Sequence, residues 1–242
     1  AGQVMANAPD AVVLVVNCLR MHAADKHVCC DAALALSNLV KKDSAIAAAL
    51  GCGAVEAVVQ CLRDQIAHVD VCRKACQALA RLAFTDDGEQ FALPCGGAEA
   101  VVDCLRKHQD DSELCDRACW ALAYLSCGAG RAGIIVCGGV EAVTRALQLH
   151  KADKEVCDRA SSTLSNLANH AGGAARAVGA GAVQAVVGAL QQHVADQRVC
   201  HHTCRALADL TVREAGQDEA IQGGAIQALA KALRTHAADA DV

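Results

Sequence analysis

Sixteen cysteines and ten histidines in a chain of 242 residues invite a search for metal or thiol chemistry. Thiolate and imidazole are the usual ligands of zinc and common nucleophiles and bases. Three Cys-x-x-x-Cys pairs, Cys72/Cys76, Cys115/Cys119 and Cys200/Cys204, would share one face of a helix. Tetrahedral zinc needs four ligands, and only the last pair has histidines beside it, His201 and His202. The cysteines recur instead at a fixed, long spacing. Cys18, Cys61 and Cys104 fall in one column with Ala146, Ala189 and Ala232. Cys76, Cys119 and Cys204 share another with Ala33 and Ser161, and Cys52, Cys95 and Cys137 a third with Pro9, Ala180 and Gly223. Cys29, Cys72, Cys115, Cys157 and Cys200 form a fourth. Where small residues stand in for cysteine, the thiol acts as a small buried hydrophobe. A repeating column supplies no paired geometry for disulfides, and so many thiols point to a reducing compartment, cytoplasmic or nuclear. No metal or cofactor is expected.

A second column holds His22, His108, His150, His193 and His236, each three residues before an aspartate. These positions fall near the expected end of a helix, where a cationic or hydrogen-bonding side chain complements the dipole. Helix capping with local His–Asp pairing is the expected role, and a pH-sensitive edge is the alternative. Stacked helices about 8–10 Å apart would keep these histidines from sharing a compact metal site. Gly128–Gly133 (GAGRAG) matches G-x-G-x-x-G by letter, but the dinucleotide fingerprint follows a strand inside a βαβ unit. Here it follows a helical pattern and reads as a flexible connector. No Ser, His and acidic constellation stands outside the repeat phase, so the chain is expected not to be an enzyme.

Hydrophobic residues make up 54% of the chain and aromatics only 2%, so the core must be built from Ala, Val, Leu and Cys. Small, mostly unbranched side chains suit closely packed helices better than a sheet. The net charge of −5 is mild and scattered, which argues against nucleic acid as the partner. No apolar run reaches the ~18 residues of a membrane span, and the N-terminus lacks the pattern of a secretory signal. The chain reads as soluble, with neither membrane nor small-molecule substrate as partner.

The elements behind these columns follow from the period. Leu19, Leu62, Leu105, Leu147, Leu190 and Leu233 are separated by 43, 43, 42, 43 and 43 residues. Val28, Val71, Leu114, Val156, Val199 and Val242, nine residues later, keep the same steps. Each unit reads as three helices. A short first helix carries an apolar anchor, Leu50, Leu93, Ile135, Val178 or Ile221. A glycine follows at Gly53, Gly96, Gly138, Gly181 or Gly224, a residue suited to the left-handed conformation of a sharp corner. The second helix runs through segments such as Ala54–Leu62 and Ala98–Leu105. The third opens on an N-cap aspartate, Asp25, Asp111, Asp153, Asp196 or Asp239, with His68 in the remaining unit. It continues with apolar residues at helical spacing, as in Val71, Ala75, Ala78, Leu79 and Leu82. The period falls in the ~40–47 range of helical repeat arrays.

The segments CWALAYL (Cys119–Leu125), TLSNLANH (Thr163–His170) and ALSNLV (Ala35–Val40) resemble the armadillo-repeat signature "alWaLsNLa", and GGAEAVVDCL resembles "GaIpaLvqLL". The resemblance covers essentially the whole chain. It implies an all-α fold, a right-handed α-solenoid of about six three-helix armadillo repeats, at about 1–43, 44–86, 87–128, 129–171, 172–214 and an incomplete 215–242. Residues 1–242 are expected to form a single solenoid. Neither end shows a polar capping repeat, so this solenoid is expected to be a fragment of a longer array.

In armadillo proteins the third helices line a concave face. The resemblance points to two rows along it: Leu34, Gln77, Trp120, Ser162 and Arg205 at the family's Trp position, and Asn38, Arg81, Tyr124, Asn166 and Asp209 at its Asn position. In nuclear-import armadillo proteins the Asn side chains hold an extended peptide's backbone and the Trp side chains flank its basic groups. Here Trp120 is followed four residues on by Tyr124, while Asn38 and Asn166 are preceded by Leu34 and Ser162. No repeat has the complete pair, which argues against an import receptor and leaves the groove. The only Trp and the only Tyr fall on these rows, and binding surfaces favour Trp, Tyr and Arg. Arg81, Arg117 and Arg205 lie in the same region. A protein–protein interaction scaffold holding a peptide or protein partner is therefore expected, with Asn and Arg side chains bonding its main chain. An architectural, rod-like subunit using several faces is the alternative.

Overall fold

Glycine sets the corners of this chain. Gly53, Gly96, Gly138, Gly181 and Gly224 have φ of 74°, 72°, 81°, 80° and 80°, a region that costs other L-residues about 1–2 kcal/mol. At each of them a short first helix turns into a longer second one, through 72° at Gly53 and 75° at Gly181. The computed structural model describes residues 8–212 and 214–237, which form sixteen helices and, among the described residues, no strand. First helices are α3 (Asp43–Gly51), α6 (Asp86–Ala92), α9 (Arg131–Val136), α12 (Gly173–Gly179) and α15 (Glu214–Gln222). Second helices are α1 (Ala8–Met21), α4 (Ala54–Asp64), α7 (Gly97–Lys107), α10 (Gly139–Leu149), α13 (Ala182–Gln192) and α16 (Ala225–Thr235). Third helices are α2 (Lys26–Leu39), α5 (Val69–Leu82), α8 (Ser112–Leu125), α11 (Lys154–Ala168) and α14 (Gln197–Leu210). The chain is an α-solenoid: each third helix packs on the next, from α2 to α14, and the second helices stack in parallel, from α1 to α16.

One cluster of Leu, Val, Ala and Cys runs through the stack, and its largest fully buried side chains are Leu and Ile, with no aromatic among them. Val71, Ala75, Ala78, Leu79 and Leu82 are buried as their spacing requires. The first helices depart from expectation by one residue. Of the expected anchors only Leu50 is buried, and Ile221 is 59% exposed. The deep column is Ala49, Ala92, Ile134, Ala177 and Ala220. A helix of two turns has adjacent apolar residues on slightly different faces, and packing selects the one aimed at the core.

Asp25, Asp111, Asp153 and Asp196 cap the third helices through their carboxylates, accepting backbone N–H bonds such as Leu114 N to Asp111 Oδ1 at 2.8 Å. His68 holds the same place without a side-chain bond, and Asp239 and Val242 lie outside the described residues, as does residue 1. Among the described residues, His108, His150 and His193 make no side-chain hydrogen bond to these aspartates. Four of the column's histidines are C-cap residues whose rings cross to the preceding repeat: His108 Nε2 meets Ile66 O at 2.7 Å, His150 meets Gln109 O at 2.7 Å, His193 meets Lys151 O at 2.8 Å and His236 meets Val194 O at 2.9 Å. Gln65 does the same to Ala23 O at 2.6 Å. A carbonyl acceptor requires the proton on Nε2, which both the neutral ring and the imidazolium supply.

Other contacts also tie successive repeats. Arg20 donates to Cys52 O (3.0 Å) and Gly53 O (2.9 Å), Arg63 to Cys95 O (2.7 Å) and Arg106 to Gly138 O (3.3 Å), so each arginine clamps the glycine corner of the following repeat. Asp111 takes Arg73, Asp153 takes Ser112 and Asp196 takes Lys154, each from the repeat before. The all-cysteine column has its own reason. Its thiols reach carbonyls at the end of the second helix, as in Cys29 to His22 O at 3.4 Å and Cys157 to Lys151 O at 3.4 Å, a weak bond that alanine cannot make. Burial pushes the Cys115 and Cys157 thiols up to about 12. The GAGRAG connector is pinned rather than loose, since buried Glu89 accepts the Gly128 and Gly130 N–H groups at 3.0 Å each. The protein's own carboxylate thus occupies the loop.

Candidate protein-binding groove

The third helices place the two expected rows on one surface, because residues four apart on a helix share a face and α2, α5, α8, α11 and α14 stack in order. Trp120 on α8 is half-buried against the core. Arg81 from α5 sets its guanidinium carbon 5.4 Å from the indole ring, and Arg159 from α11 sets its own at 5.3 Å. A cation near an aromatic ring at this range is attracted by the ring's quadrupole, by about 0.5–1 kcal/mol where exposed. Tyr124 lies 6.2 Å from Trp120, and Phe84, which is 60% exposed, meets Tyr124 edge-on at 5.3 Å. Three of the chain's four aromatic side chains therefore gather on this one surface, while Phe91 on α6 stands outside the cluster.

Two hollows flank the aromatic pair. The first, of ≈ 210 Å³, includes Lys41, Asp43, Ile46, Arg81 and Phe84 with Trp120 and Tyr124. The second, of ≈ 370 Å³, brings Trp120, Tyr124, Ser162, Asn166 and Arg205 together with Arg131, Arg159 and His202. Five of the expected residues thus meet in one place and Arg81 sits beside it. Asn166 donates its amide to Ala123 O (3.1 Å) and Ser126 Oγ (3.2 Å), and no described residue donates to its Oδ1. Arg81 Nε is tied to Ser37 Oγ at 3.1 Å.

The remaining expected residues stand apart from both hollows. Asn38 and Gln77 line neither. Asp209 accepts a bond from Ser165. Arg117 ion-pairs with Asp116 at 3.0 Å, whose carboxyl burial pushes up against the pull of Arg117 and Arg159. Sequence reading passed over Phe84 and Arg159. Arg159 lies one turn before Ser162 in the same row as Arg117, so i, i−3 spacing from the Trp position was the available signal. Nothing in the local sequence marks Phe84 as facing Tyr124 rather than the core. At the second hollow, Trp120 Nε1 and Arg159 Nε are shielded donors without a hydrogen-bond acceptor among the described residues.

Three-helix repeats stacked in two layers, with polar and aromatic side chains presented by the third helices, define an armadillo-like repeat fold. Solved structures share it, among them these three. The crystal structure of an engineered protein is 28% identical over 92% of this chain and 88% of that one, with a TM-score of 0.77. A designed armadillo repeat protein in complex with the peptide (KR)4 is 23% identical over 93% and 92%, with a TM-score of 0.75. Computationally designed armadillo repeat proteins for modular peptide recognition are 22% identical over 91% of both chains, with a TM-score of 0.74. No family profile matches the sequence, and no curated protein aligns with it.

Proposed function

We propose that this chain is a non-enzymatic scaffold that holds an extended peptide, or an extended segment of a protein, along the concave face of its third helices. The observation that carries this reading is the Arg81–Trp120–Arg159 stack with Tyr124 and Phe84 beside it. A half-buried aromatic and arginine cluster at the centre of a surface is the composition of binding hot spots, in a chain that otherwise spends almost no aromatics. Solved structures of the same fold bind peptides. Asn166 Oδ1 is positioned to accept a main-chain N–H of the bound segment, while Trp120 and Tyr124 supply apolar contact. Residues 1–242 act as one array in this reading. The abundance of cysteine in the sequence supports a reducing compartment, cytoplasmic or nuclear, in this reading.

Trp120 is the only tryptophan, so its fluorescence reports directly on the groove. Peptides selected from a displayed library on the wild-type array should shift that emission. They should bind Trp120→Ala at least about tenfold more weakly, with the helical circular-dichroism signal retained. Equal affinity for the Trp120→Ala variant, or no enrichment of any peptide, would reject the groove.

A further inference from the structure

The second hollow carries more information than its place in the groove, because its lining is charged with one sign. Arg131, Arg159 and Arg205 contribute its charges, with His202 among the polar lining residues, and no Asp or Glu lines it. The first hollow holds Lys41 and Arg81 against one acid, Asp43. None of the acids near the second hollow lines it. Fully buried Asp158 is shared among His202 (2.6 Å), Arg198 (3.2 Å) and, more loosely, Arg159 (3.8 Å), Asp116 is held by Arg117, and Asp209, one turn beyond Arg205, turns to Ser165. Arg205 makes no hydrogen bond or ion pair with any described residue. A chain whose net charge is −5 thus brings three arginines together around one hollow with no acid in its lining.

We infer that the segment held in this groove is an acidic peptide stretch, with a carboxylate seated in the hollow between Arg159 and Arg205. The inference rests on the groove reading above and names the chemistry of its occupant. Guanidinium and carboxylate match each other's planar geometry, and their hydrogen bonds are about twice as strong as neutral ones. A basic peptide such as the (KR)4 held by a structural neighbour would meet like charge here. Stacked helices about 8–10 Å apart and an extended backbone rising ~3.3 Å per residue bring a bound chain past one repeat every two to three residues. Acidic side chains at that spacing reach first the Arg81 side of Trp120 and then the Arg159/Arg205 side.

Fluorescein-labelled peptides of alternating Glu and Ser, Gln and Ser, and Lys and Ser, titrated at low salt by fluorescence polarisation, test this. The Glu peptide should bind about tenfold or more tightly than the Gln peptide and lose affinity as salt rises. Arg205→Glu should weaken it by a similar factor, and Arg145→Glu, on α10 away from the hollow, should not. Gln or Lys peptides binding as well as the Glu peptide would overturn the acidic assignment and leave the groove standing. Failure of all three peptides would overturn both. A single-stranded oligonucleotide binding more tightly than the Glu peptide would show a general polyanion site and overturn the assignment to protein.

Discussion

Gly96 illustrates how a single residue serves two constraints that sequence reveals unequally. Its φ of 72° calls for glycine, and the repeat-long recurrence of glycine made the corner legible. The arginine clamp was not, because Arg63 lies 33 residues earlier and belongs to another repeat. A Cβ added at Gly96 would collide with the Arg63 guanidinium. Gly96→Ala should therefore lower unfolding stability by roughly 1–2 kcal/mol for the backbone alone, and by more once the clamp is displaced. Gly188, in the middle of α13, meets nothing within 4 Å of an added Cβ. There alanine should raise stability by about 0.5–1 kcal/mol. Urea titrations of the two variants check the contrast, and a loss at Gly188 equal to that at Gly96 would contradict it. The histidines taught the same lesson. Their column was visible in the sequence, but the carbonyl each meets lies about one repeat away.

At the scale of the helix, Asp111 links the cap of α8 to α5. Its carboxylate accepts Leu114 N–H and also receives the Arg73 guanidinium, with Nε at 2.9 Å from Oδ1. Arg73 foremost, with the Leu114 N–H, holds the Asp111 carboxyl below the usual carboxylate range. Folding therefore favours the ionised form. In the unfolded chain the group titrates near ~3.9, so its stabilising contribution is complete above that pH and drains away as pH falls through the lower, folded value. Asp111→Ala should cost about 1 kcal/mol or more near neutrality. The gap from wild type should narrow as urea titrations are moved into the acid range below ~3.9. Asp25 caps α2 with no arginine on it, and Asp25→Ala should cost less. A gap at Asp111 that does not change with pH would remove the charge from this account. The helices were legible from spacing and caps, but the short first helices were misphased because apolar neighbours such as Ile134 and Ile135 look alike until packing buries one of them.

For the molecule as a whole, the groove was legible as a surface and not as a site. The third-helix rows were implied by the family resemblance, but the ring of Trp120 is flanked by Arg81 and Arg159, one from each neighbouring repeat. Which arginine reaches an indole across repeats depends on helix stacking, and no local pattern encodes that. The same nearest-neighbour logic governs stability. Because each repeat packs chiefly on the ones beside it, damage should spread outward from its origin rather than act on the array uniformly. Leu122 is fully buried in central α8, and Leu19 is buried in α1 near one end. Leu122→Ala should cost about 2–5 kcal/mol and raise amide hydrogen exchange in α5 and α11 as well as α8, because both neighbours lose a packing face. With α5 and α11 go the two arginines, so the groove should weaken without any contact residue being changed. Leu19→Ala should raise exchange in α1, α2 and α4 and leave α11 and α14 protected. Equal loss of protection across all helices in both variants would mean the array folds as one cooperative block, and its groove could not be tuned from a single repeat.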